Sequence, residues 1–376
     1  MSIDASTFTT DLVSPRATAE QRATRLSDVT FGSGFTEHMV TLRHTEEQGW
    51  GDGRLQPYQS LTLDPATVGL HYGQVIFEGL KAYRTEDGRV AAFRPHAHGD
   101  RFRASAARLL MPELPTDTFV HAVEELVRAD ADWVPQDPHR SLYLRPLMFA
   151  SEASLALRPA LEYSFLMLAF VTEQFFGSSR AIKVWISEEY VRAVTGGTGA
   201  AKYAGNYAAS YAAQAQAAEH GCDQVVWLDA HEHCWVEELG GMNVFFVEGA
   251  GSSARLVTPP LTGTILSGVT RDSILTLAQG VGLAVEERPV SVTDWHEGCR
   301  TSHITEVFAC GTAAQITAVG TAMSTAKTWQ IGTGEPGPVT VMLSDALTQI
   351  ERGGTPTPDG WMHYIYPESS SSVKGQ

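Results

Sequence analysis

The stretch GGTGAAKYAGNYAAS, residues 196–210, sets one lysine among glycine, alanine and tyrosine. Lys202 has no acidic residue near it in sequence, so little local charge would hold it protonated. A lysine that attacks a carbonyl carbon must be neutral, and an apolar, partly desolvated setting favours the neutral amine. Lys202 is therefore a candidate nucleophile. A lysine that extends along its own methylene groups to solvent is the simpler alternative.

The same stretch approaches the pattern of a phosphate-binding P-loop but lacks two of its parts. Ala201 stands where that pattern has its last glycine, and Tyr203 stands where it has a magnesium-binding hydroxyl. The stretch therefore does not predict a nucleotide site.

Two other glycine turns are candidates for binding a phosphate. In SGVTRDS (267–273) a glycine turn opens a helix, with Thr270 as the expected N-cap and Asp272 in the first turn. Backbone amides at such a helix start bind phosphate without help from a lysine. FACGTAA (308–314) places Thr312 directly after a glycine at a strand end. An ordinary helix start and an ordinary turn are the alternatives.

Two adjacent carboxylates, Glu237 and Glu238, end an apolar strand in WVEELGGMN (235–243). Because side chains alternate along a strand, one of the two should point inward. An inward carboxylate needs a cationic partner, or else it becomes protonated. A solvated strand end is the alternative.

Two groups of histidines raise the possibility of a metal site. His96 and His98 form one, and His231 and His233 beside Cys234 form the other. Neither has the HExxH spacing or a recognisable third ligand, so surface histidines are the favoured interpretation. The sequence also contains no GxSxG or GxGxxG pattern, which argues against the commonest hydrolases and dinucleotide-binding enzymes.

Composition indicates a globular protein of two domains. A chain of 376 residues is longer than one hydrophobic core usually grows, and a hydrophobic fraction of 43% supplies a sizeable core. A formal net charge of −16 disfavours nucleic acid and acidic membranes as partners. The four cysteines show no CxxC pairing, which favours reduced thiols. With no apolar leader and no apolar run of membrane length, we expect a cytoplasmic protein that binds small molecules.

Hydrophobic periodicity predicts two α/β domains, each with a mixed sheet. The expected segments are a loosely held N-terminal arm (1–30), a smaller domain (31–174), an interdomain loop (175–180), a larger domain (181–366) and a disordered tail (367–376). Strands are predicted at 89–95, 141–150, 163–172, 181–187, 223–229, 233–239, 243–249 and 255–260, the three between 223 and 249 pairing antiparallel. Helices are predicted at 100–110, 117–130 and 207–220, the last stopped by Gly221, and after the glycine turn within 266–282.

Taken in order, nine segments resemble the branched-chain amino acid aminotransferases, a family of class IV, fold-type IV enzymes that use pyridoxal 5′-phosphate. The match runs from about Phe31 to Gly353. The segments are FGSGFTEHM (31–39), LHYGQVIFEGLKAYR (70–84), FRPHAHGDRFRASAARL (93–109), SLYLRP (141–146), KYAGNY (202–207), GCDQVVWLD (221–229), EELGGMN (237–243), LVTPPLTGTILSGVTRDS (256–273) and EVFACGTAA (306–314). Each alone is a weak signal, but their order and spacing make the set specific.

The resemblance implies amino transfer between leucine, isoleucine or valine and 2-oxoglutarate in two half-reactions. Such a reaction either ends the biosynthesis of these amino acids or begins their degradation. The larger domain would bind the cofactor, and Lys202 would hold it covalently and move the substrate proton. Glu238 would pair with the ring nitrogen, and Tyr207 would donate to the ring oxygen. The other implied cofactor contacts are Arg101, Gly241, Val269, Thr270 and Thr312.

The resemblance also implies a substrate pocket lined by aromatic rings. The residues at the matching positions are Phe31, Tyr72, Phe77 and Tyr143, with Arg145 and the turn Thr312–Ala313–Ala314 near the carboxylates. Apolar pockets separate substrates that differ by one methylene by only about 1–3 kcal/mol, so one wall would accept all three amino acids. A structural ion pair is the alternative role for Arg145. Family members are usually homodimers in which the partner lends a loop to the active site, and we expect the same here.

This sequence departs from its relatives at three places. The segment 314–317 reads AQIT where some animal members carry a redox CxxC, so no such thiol switch is expected. Gly241 replaces a threonine or serine, and Phe175–Phe176 stands where some members have tyrosine. These last two changes bear on substrate preference and leave the reaction type intact.

Rival interpretations come from inside and outside this fold. D-amino-acid transaminase, aminodeoxychorismate lyase and an R-selective amine transaminase share it, but they lack FEGLKAYR and DRFRASAARL in this form. A regulatory protein that binds a phosphate ligand without reaction of Lys202 is a rival of another class. A metal-dependent hydrolase built on the histidines is a third.

Overall fold

A computed structural model of the chain describes residues 8–27, 30–173 and 180–366. Its helices are α1 (Ala19–Arg25), α2 (Val68–Tyr72), α3 (Pro95–Arg108), α4 (Thr116–Ala129), α5 (Ala204–Ala208), α6 (Tyr211–Glu219), α7 (Val269–Gly280), α8 (Val292–Arg300) and α9 (Pro338–Glu351). Its strands are β1 (Thr9–Thr10), β2 (His38–Thr45), β3 (Gly49–Pro57), β4 (Val75–Phe77), β5 (Leu80–Arg84), β6 (Val90–Phe93), β7 (Arg140–Ala150), β8 (Glu162–Glu173), β9 (Ile182–Ile186), β10 (Gln224–Leu228), β11 (Val236–Leu239), β12 (Asn243–Glu248), β13 (Arg255–Thr258), β14 (Ala284–Glu287), β15 (Ile304–Gly311), β16 (Gln315–Met323), β17 (Thr328–Gln330) and β18 (Met362–Tyr366).

The chain divides into two compact units. Unit 1 comprises the described residues up to Glu173 together with those from Gln349 onward, and unit 2 comprises those between them. The last segment was predicted to lie in the larger domain, and the structure differs there because β18 pairs antiparallel with β6 of unit 1. Local periodicity cannot tell which sheet edge accepts a late strand. The predicted loop lies outside the described residues except for Arg180, and the predicted tail lies outside them altogether.

Unit 1 is a nine-stranded sheet with helices α3 and α4 packed against each other. The strand order is β1-β3-β2-β8-β7-β5-β6-β18, with β4 added beside β7, and only the short β1–β3 pairing is parallel. The predicted apolar face of α4 is buried, since Phe119, Val123 and Leu126 are all at 0% exposure. Burial of such a face, rather than helix propensity, supplies most of a helix's stability in a protein.

The described part of the N-terminal arm is more firmly attached than its composition predicts. Thr9 and Thr10 pair with β3, and the Ala17 amide donates to Glu37 Oε1 at 2.9 Å. Helix α1 begins with a capping box in which Thr18 and Gln21 satisfy each other's backbone amides. The expectation of a loosely held arm is therefore wrong for residues 8–27.

Unit 2 is a second nine-stranded sheet, with both parallel and antiparallel pairings. Its order is β11-β10-β9-β16-β15-β12-β13-β14, with β17 beside β16. Strands β10 and β11 pair antiparallel as predicted, but β12 pairs instead with β13 and β15. The predicted helix over 207–220 is two helices, α5 and α6, and Gly221 follows with a φ of 65°. Both units are thus mixed α/β, as the sequence predicted, and no helix of the described residues is long and apolar enough to cross a membrane.

Candidate active site

The predicted nucleophile lies beside the predicted tyrosine. Lys202 immediately precedes the short helix α5, and its Nζ donates to the hydroxyl of Tyr207 at 3.1 Å. The buried Asn206 shapes this loop, because its side-chain amide donates to the carbonyls of Thr198 (2.8 Å) and Ala201 (3.1 Å). The lysine is half-buried, not extended into solvent. Asn206 was not singled out from the sequence, since its role depends on a fold of the loop that periodicity does not reveal.

Both carboxylates at the end of β11 are buried, so the alternative of a solvated strand end is wrong. Glu237 is 7% exposed and Glu238 is 2% exposed. Glu238 Oε1 accepts a hydrogen bond from the Leu266 amide at 2.7 Å, and Oε2 lies 2.8 Å from Nε of Arg192. Burial raises the pKa of Glu238, while Arg192, the Leu266 amide and Lys202 oppose that rise. The cationic partner required by an inward carboxylate is thus Arg192, to which no pattern in the sequence pointed.

Helix α7 begins one residue earlier than predicted. Gly268, not Thr270, is its N-cap, and no side chain caps the first turn. A Cβ at Gly268 would lie 2.0 Å from Asn243 Oδ1, so only glycine permits this close approach. Asp272 does lie in the first turn, as predicted. A helix start without a side-chain cap suits an anion, because the amides and the dipole both favour negative charge.

The turn of Thr312, Ala313 and Ala314 joins β15 to β16. Antiparallel pairing of β12 with β15 sets Asn243 opposite Cys310, which brings the base of this turn beside the glycines that follow Glu238. Consistent with this, a Cβ at Gly311 would lie 3.4 Å from the Met242 side chain.

The predicted cofactor residues of unit 2 therefore gather around one point. A small cavity of about 30 Å³ marks it, with Tyr207, Glu238 and Gly241 among its walls. Leu266, two residues before Gly268, also lines it, so the start of α7 lies close by.

In unit 1, Arg101 on α3 belongs to a buried polar group. Its Nε and Nη2 donate to the two oxygens of Glu78 at 2.6 and 2.8 Å, and His98 Nδ1 lies 2.9 Å from Glu78 Oε2. Burial acts to raise the pKa of Glu78, but Arg101 and His98 outweigh it and hold that pKa well below its usual range. The prediction of His98 as a surface residue is wrong, because it lies on the inward face of α3 and is 1% exposed.

Three aromatic rings of unit 1 pack together. Tyr143 and Phe170 are directly opposite on β7 and β8, stacked with centroids 5.0 Å apart, and Phe31 meets both edge-on at 5.2 and 5.3 Å. Gly79 makes room, since a Cβ there would lie 1.8 Å from the Tyr143 hydroxyl. Phe170 was not predicted; as one apolar residue in a continuous apolar strand, it carried no separate signal.

Arg145 lies beside the same ring cluster. Its guanidinium carbon is 5.0 Å from the Phe77 centroid and 5.6 Å from the Tyr143 centroid. Its Nε is buried and has no hydrogen-bond partner within the described residues, which disfavours the alternative of a structural ion pair. Tyr72, also predicted for the pocket, is half exposed and donates its hydroxyl to the Leu155 carbonyl at 2.9 Å.

Comparison with known proteins identifies the family. The family model for amino-transferase class IV matches residues 75–321. The probable branched-chain-amino-acid aminotransferase of Streptomyces coelicolor is 55% identical over 92% of this chain and 95% of its own length. This chain belongs to the branched-chain amino acid aminotransferases of class IV. The aminotransferase activity and the family predicted from the sequence are confirmed.

Solved structures agree with this aminotransferase in fold. The branched-chain amino acid aminotransferase of Escherichia coli superposes with a TM-score of 0.72 at 28% identity, covering 83% of this chain and 96% of that one. The branched-chain amino acid aminotransferase of T.th., solved with pyridoxamine 5′-phosphate, gives a TM-score of 0.70 at 27% identity, covering 87% and 99%. The predicted fold-type IV architecture and the pyridoxal-phosphate cofactor are thereby confirmed.

The residues of the aminotransferase fit this cofactor. An amine on Lys202 lies beside a hydroxyl on Tyr207, a buried carboxylate stands at Glu238, and the uncapped start of α7 lies near the same cavity. Among the described residues, no group of three or more histidine, cysteine or acidic side chains is arranged to hold a metal ion.

Proposed function

We propose that this aminotransferase transfers the amino group of leucine, isoleucine or valine to 2-oxoglutarate, forming the branched-chain 2-oxo acid and glutamate. The observation that carries the choice of substrate is the position of Arg145 beside the aromatic cluster. The rings offer an apolar wall for a branched side chain, and the buried Nε–H offers a donor for a carboxylate. Both kinds of substrate need one of these features.

Pyridoxal phosphate, when bound, supplies the electron sink that weakens the substrate Cα–H bond. Lys202 would receive and return that proton at Nζ, which requires a neutral amine. Tyr207 accepts a hydrogen bond from this Nζ, so it would orient the amine and help to keep it in place. Glu238 would hold a proton on the ring nitrogen, where a buried carboxylate stabilises a cation.

We assign the phosphate contacts to four residues. Val269 and Thr270 would donate from the first turn of α7, and Thr312 would add its hydroxyl. Arg101 would add a positive charge, held in a fixed orientation by its two hydrogen bonds to Glu78. Gly241, at the wall of the cavity, would leave room for the ring.

The substrate contacts follow from the aromatic cluster of unit 1. Phe31, Phe77 and Tyr143 would surround the side chain, and Arg145 would bind the distal carboxylate of glutamate or 2-oxoglutarate. Ala313 and Ala314, in the turn after Thr312, would lie close to the α-carboxylate. We further propose a cytoplasmic homodimer, with Tyr72 and its surroundings as part of the surface offered to the second copy, because that tyrosine is half exposed.

A panel of amino donors tests the proposal. With 2-oxoglutarate as acceptor, glutamate should form from L-leucine, L-isoleucine and L-valine, and Lys202→Ala should abolish its formation. Faster turnover of D-alanine or of simple amines would instead favour the rival transaminases of this fold. Unchanged turnover in Lys202→Ala would contradict the proposed role of the lysine.

A further inference from the structure

A buried arginine connects the lysine loop, Glu238 and the segment before α7. Arg192 lies in the loop between β9 and α5, and its side chain is 8% exposed. Its Nη2 donates to the carbonyls of Gly199, at 3.2 Å, and of Thr264. Gly199 is required for this closure, since a Cβ there would lie 2.2 Å from the Thr264 carbonyl oxygen. The guanidinium is therefore fixed at one end by backbone carbonyls, while its Nε faces Glu238.

We propose that Arg192 is a positioning residue that keeps Glu238 ionised and correctly oriented for the ring nitrogen of pyridoxal phosphate. This inference rests on the proposed role of Glu238. It assigns to Arg192 an electrostatic task in cofactor binding, in addition to its contacts with the loop.

The surroundings of Glu238 show why such a cation is needed. The carboxylate is almost fully buried, and burial of an unpaired charge favours its protonation. Oε1 is occupied by the Leu266 amide and faces the Asn243 side-chain amide at 3.4 Å. The titratable groups that act on Glu238 are Arg192 and Lys202, which favour its charge, and Glu237, which opposes it; Cys310 on β15 also senses the carboxylate.

The contact between Arg192 and Glu238 is electrostatic in character. Nε lies 2.8 Å from Oε2, yet its N–H makes no hydrogen bond within the described residues. Oε2 thus receives the attraction of a positive charge without being fully occupied by that donor. A ring nitrogen that carries a proton is the kind of donor that this oxygen can accept.

Two substitutions separate the charge of Arg192 from its contacts with the loop. Arg192→Lys keeps the charge but loses the planar fork, whereas Arg192→Gln keeps an amide donor and loses the charge. We expect Arg192→Gln to weaken the affinity of the apo-protein for pyridoxal phosphate by on the order of tenfold, equivalent to one pKa unit at the carboxylate. Arg192→Lys should restore most of that loss. Removal of the cation raises the pKa of Glu238, so affinity in Arg192→Gln should fall at a higher pH on acidification than in the wild type.

The decisive comparison uses 1-deazapyridoxal phosphate, in which carbon replaces the ring nitrogen. Equilibrium binding to the apo-protein, followed by fluorescence, should show that Arg192→Gln weakens pyridoxal phosphate but not the deaza compound. In a Glu238→Gln background the same substitution should have no effect on either ligand. Arg288→Gln, which removes an arginine paired with the buried Glu248 elsewhere in unit 2, is the control and should bind both ligands as the wild type does.

Equal weakening of both ligands, or the same loss in the Glu238→Gln background, would overturn the inference and leave Arg192 as a structural tie only. Its failure is distinguishable from failure of the proposed function. If the function is wrong, wild-type protein will not form glutamate from L-leucine; if only this inference is wrong, it will, and Arg192→Gln will show no preference between the two ligands.

Discussion

The Nζ atom of Lys202 and the hydroxyl of Tyr207 lie 3.1 Å apart, joined by a hydrogen bond across one turn of chain. The lysine lies just before α5 and the tyrosine inside it, so the helix fixes their spacing. Asn206, between them, ties the same loop to two backbone carbonyls. The amine therefore has a defined direction in the protein before any substrate is present.

Tyr207→Phe should slow the reaction without unfolding the protein. Loss of the hydroxyl removes the partner of Nζ and the proposed donor to the ring oxygen, and we expect kcat to fall by about 10²-fold, at the lower end of the usual range for proton-transfer groups. Steady-state kinetics with L-leucine and 2-oxoglutarate would measure this. Tyr203→Phe is the matched control in the same loop and should retain wild-type kcat. An unchanged kcat in Tyr207→Phe would remove the tyrosine from the mechanism.

Arg145→Gln should impair the use of dicarboxylic substrates. The buried Nε of Arg145 has no partner within the described residues, so the substitution breaks no ion pair and should change the unfolding free energy little. We expect kcat/KM for 2-oxoglutarate to fall by about 10–10²-fold, which corresponds to the loss of about 1.5–3 kcal/mol from a hydrogen bond to a charged group. Leucine should be less affected. Equal losses for both substrates would argue against binding of the distal carboxylate.

Gly79→Ala should disturb the aromatic cluster. The new methyl group would lie 1.8 Å from the Tyr143 hydroxyl, which forces the ring or the strand to move. Overpacking of this kind costs about 1–3 kcal/mol, and displacement of Tyr143 should also raise KM for leucine. Gly51→Ala is the control, because a Cβ there meets nothing within 4 Å. Denaturant titration and kinetics together would detect the two effects, and wild-type behaviour of Gly79→Ala would show that Tyr143 does not constrain this position.

Glu78 should stabilise the protein in a pH-dependent way. Its folded-state pKa lies below its ordinary value of 4.5, so its contribution is complete above about pH 4.5 and is lost as the pH falls further. Glu78→Gln leaves Arg101 without its carboxylate and should cost about 3–5 kcal/mol at pH 7. The difference in unfolding free energy between wild type and variant, measured by urea titration at several pH values, should shrink below pH 4.5. A difference that does not vary with pH would show that the charge of Glu78 is not what stabilises the site.

The sequence predicted the chemical groups of the site better than the contacts that hold them. Lys202 and Glu238 could be chosen because their residue types stand out against apolar neighbours. Arg192 and Asn206 could not, because each acts through backbone carbonyls that only the folded loop brings within reach. Thr270 was a reasonable choice of N-cap, yet Gly268 takes that place because the close approach of Asn243 leaves no room for a side chain.

A similar limit applies to the fold. Alternation and apolar runs located most strands of both sheets, but pairing depends on contacts distant in sequence. Strand β18 joins β6 from the other end of the chain, and β12 pairs with β15 instead of with its predecessor. His98 was taken for a surface residue because its neighbours are polar, whereas the buried Glu78 that pairs with it lies on another element.

The visible absorption spectrum of the purified protein tests the central claim most directly. With pyridoxal phosphate bound to Lys202, we expect a band in the violet region that falls when L-leucine is added and returns with 2-oxoglutarate. Lys202→Ala should show neither the covalently bound form nor this cycle. A band that L-leucine leaves unchanged, or no band after addition of pyridoxal phosphate, would contradict the account.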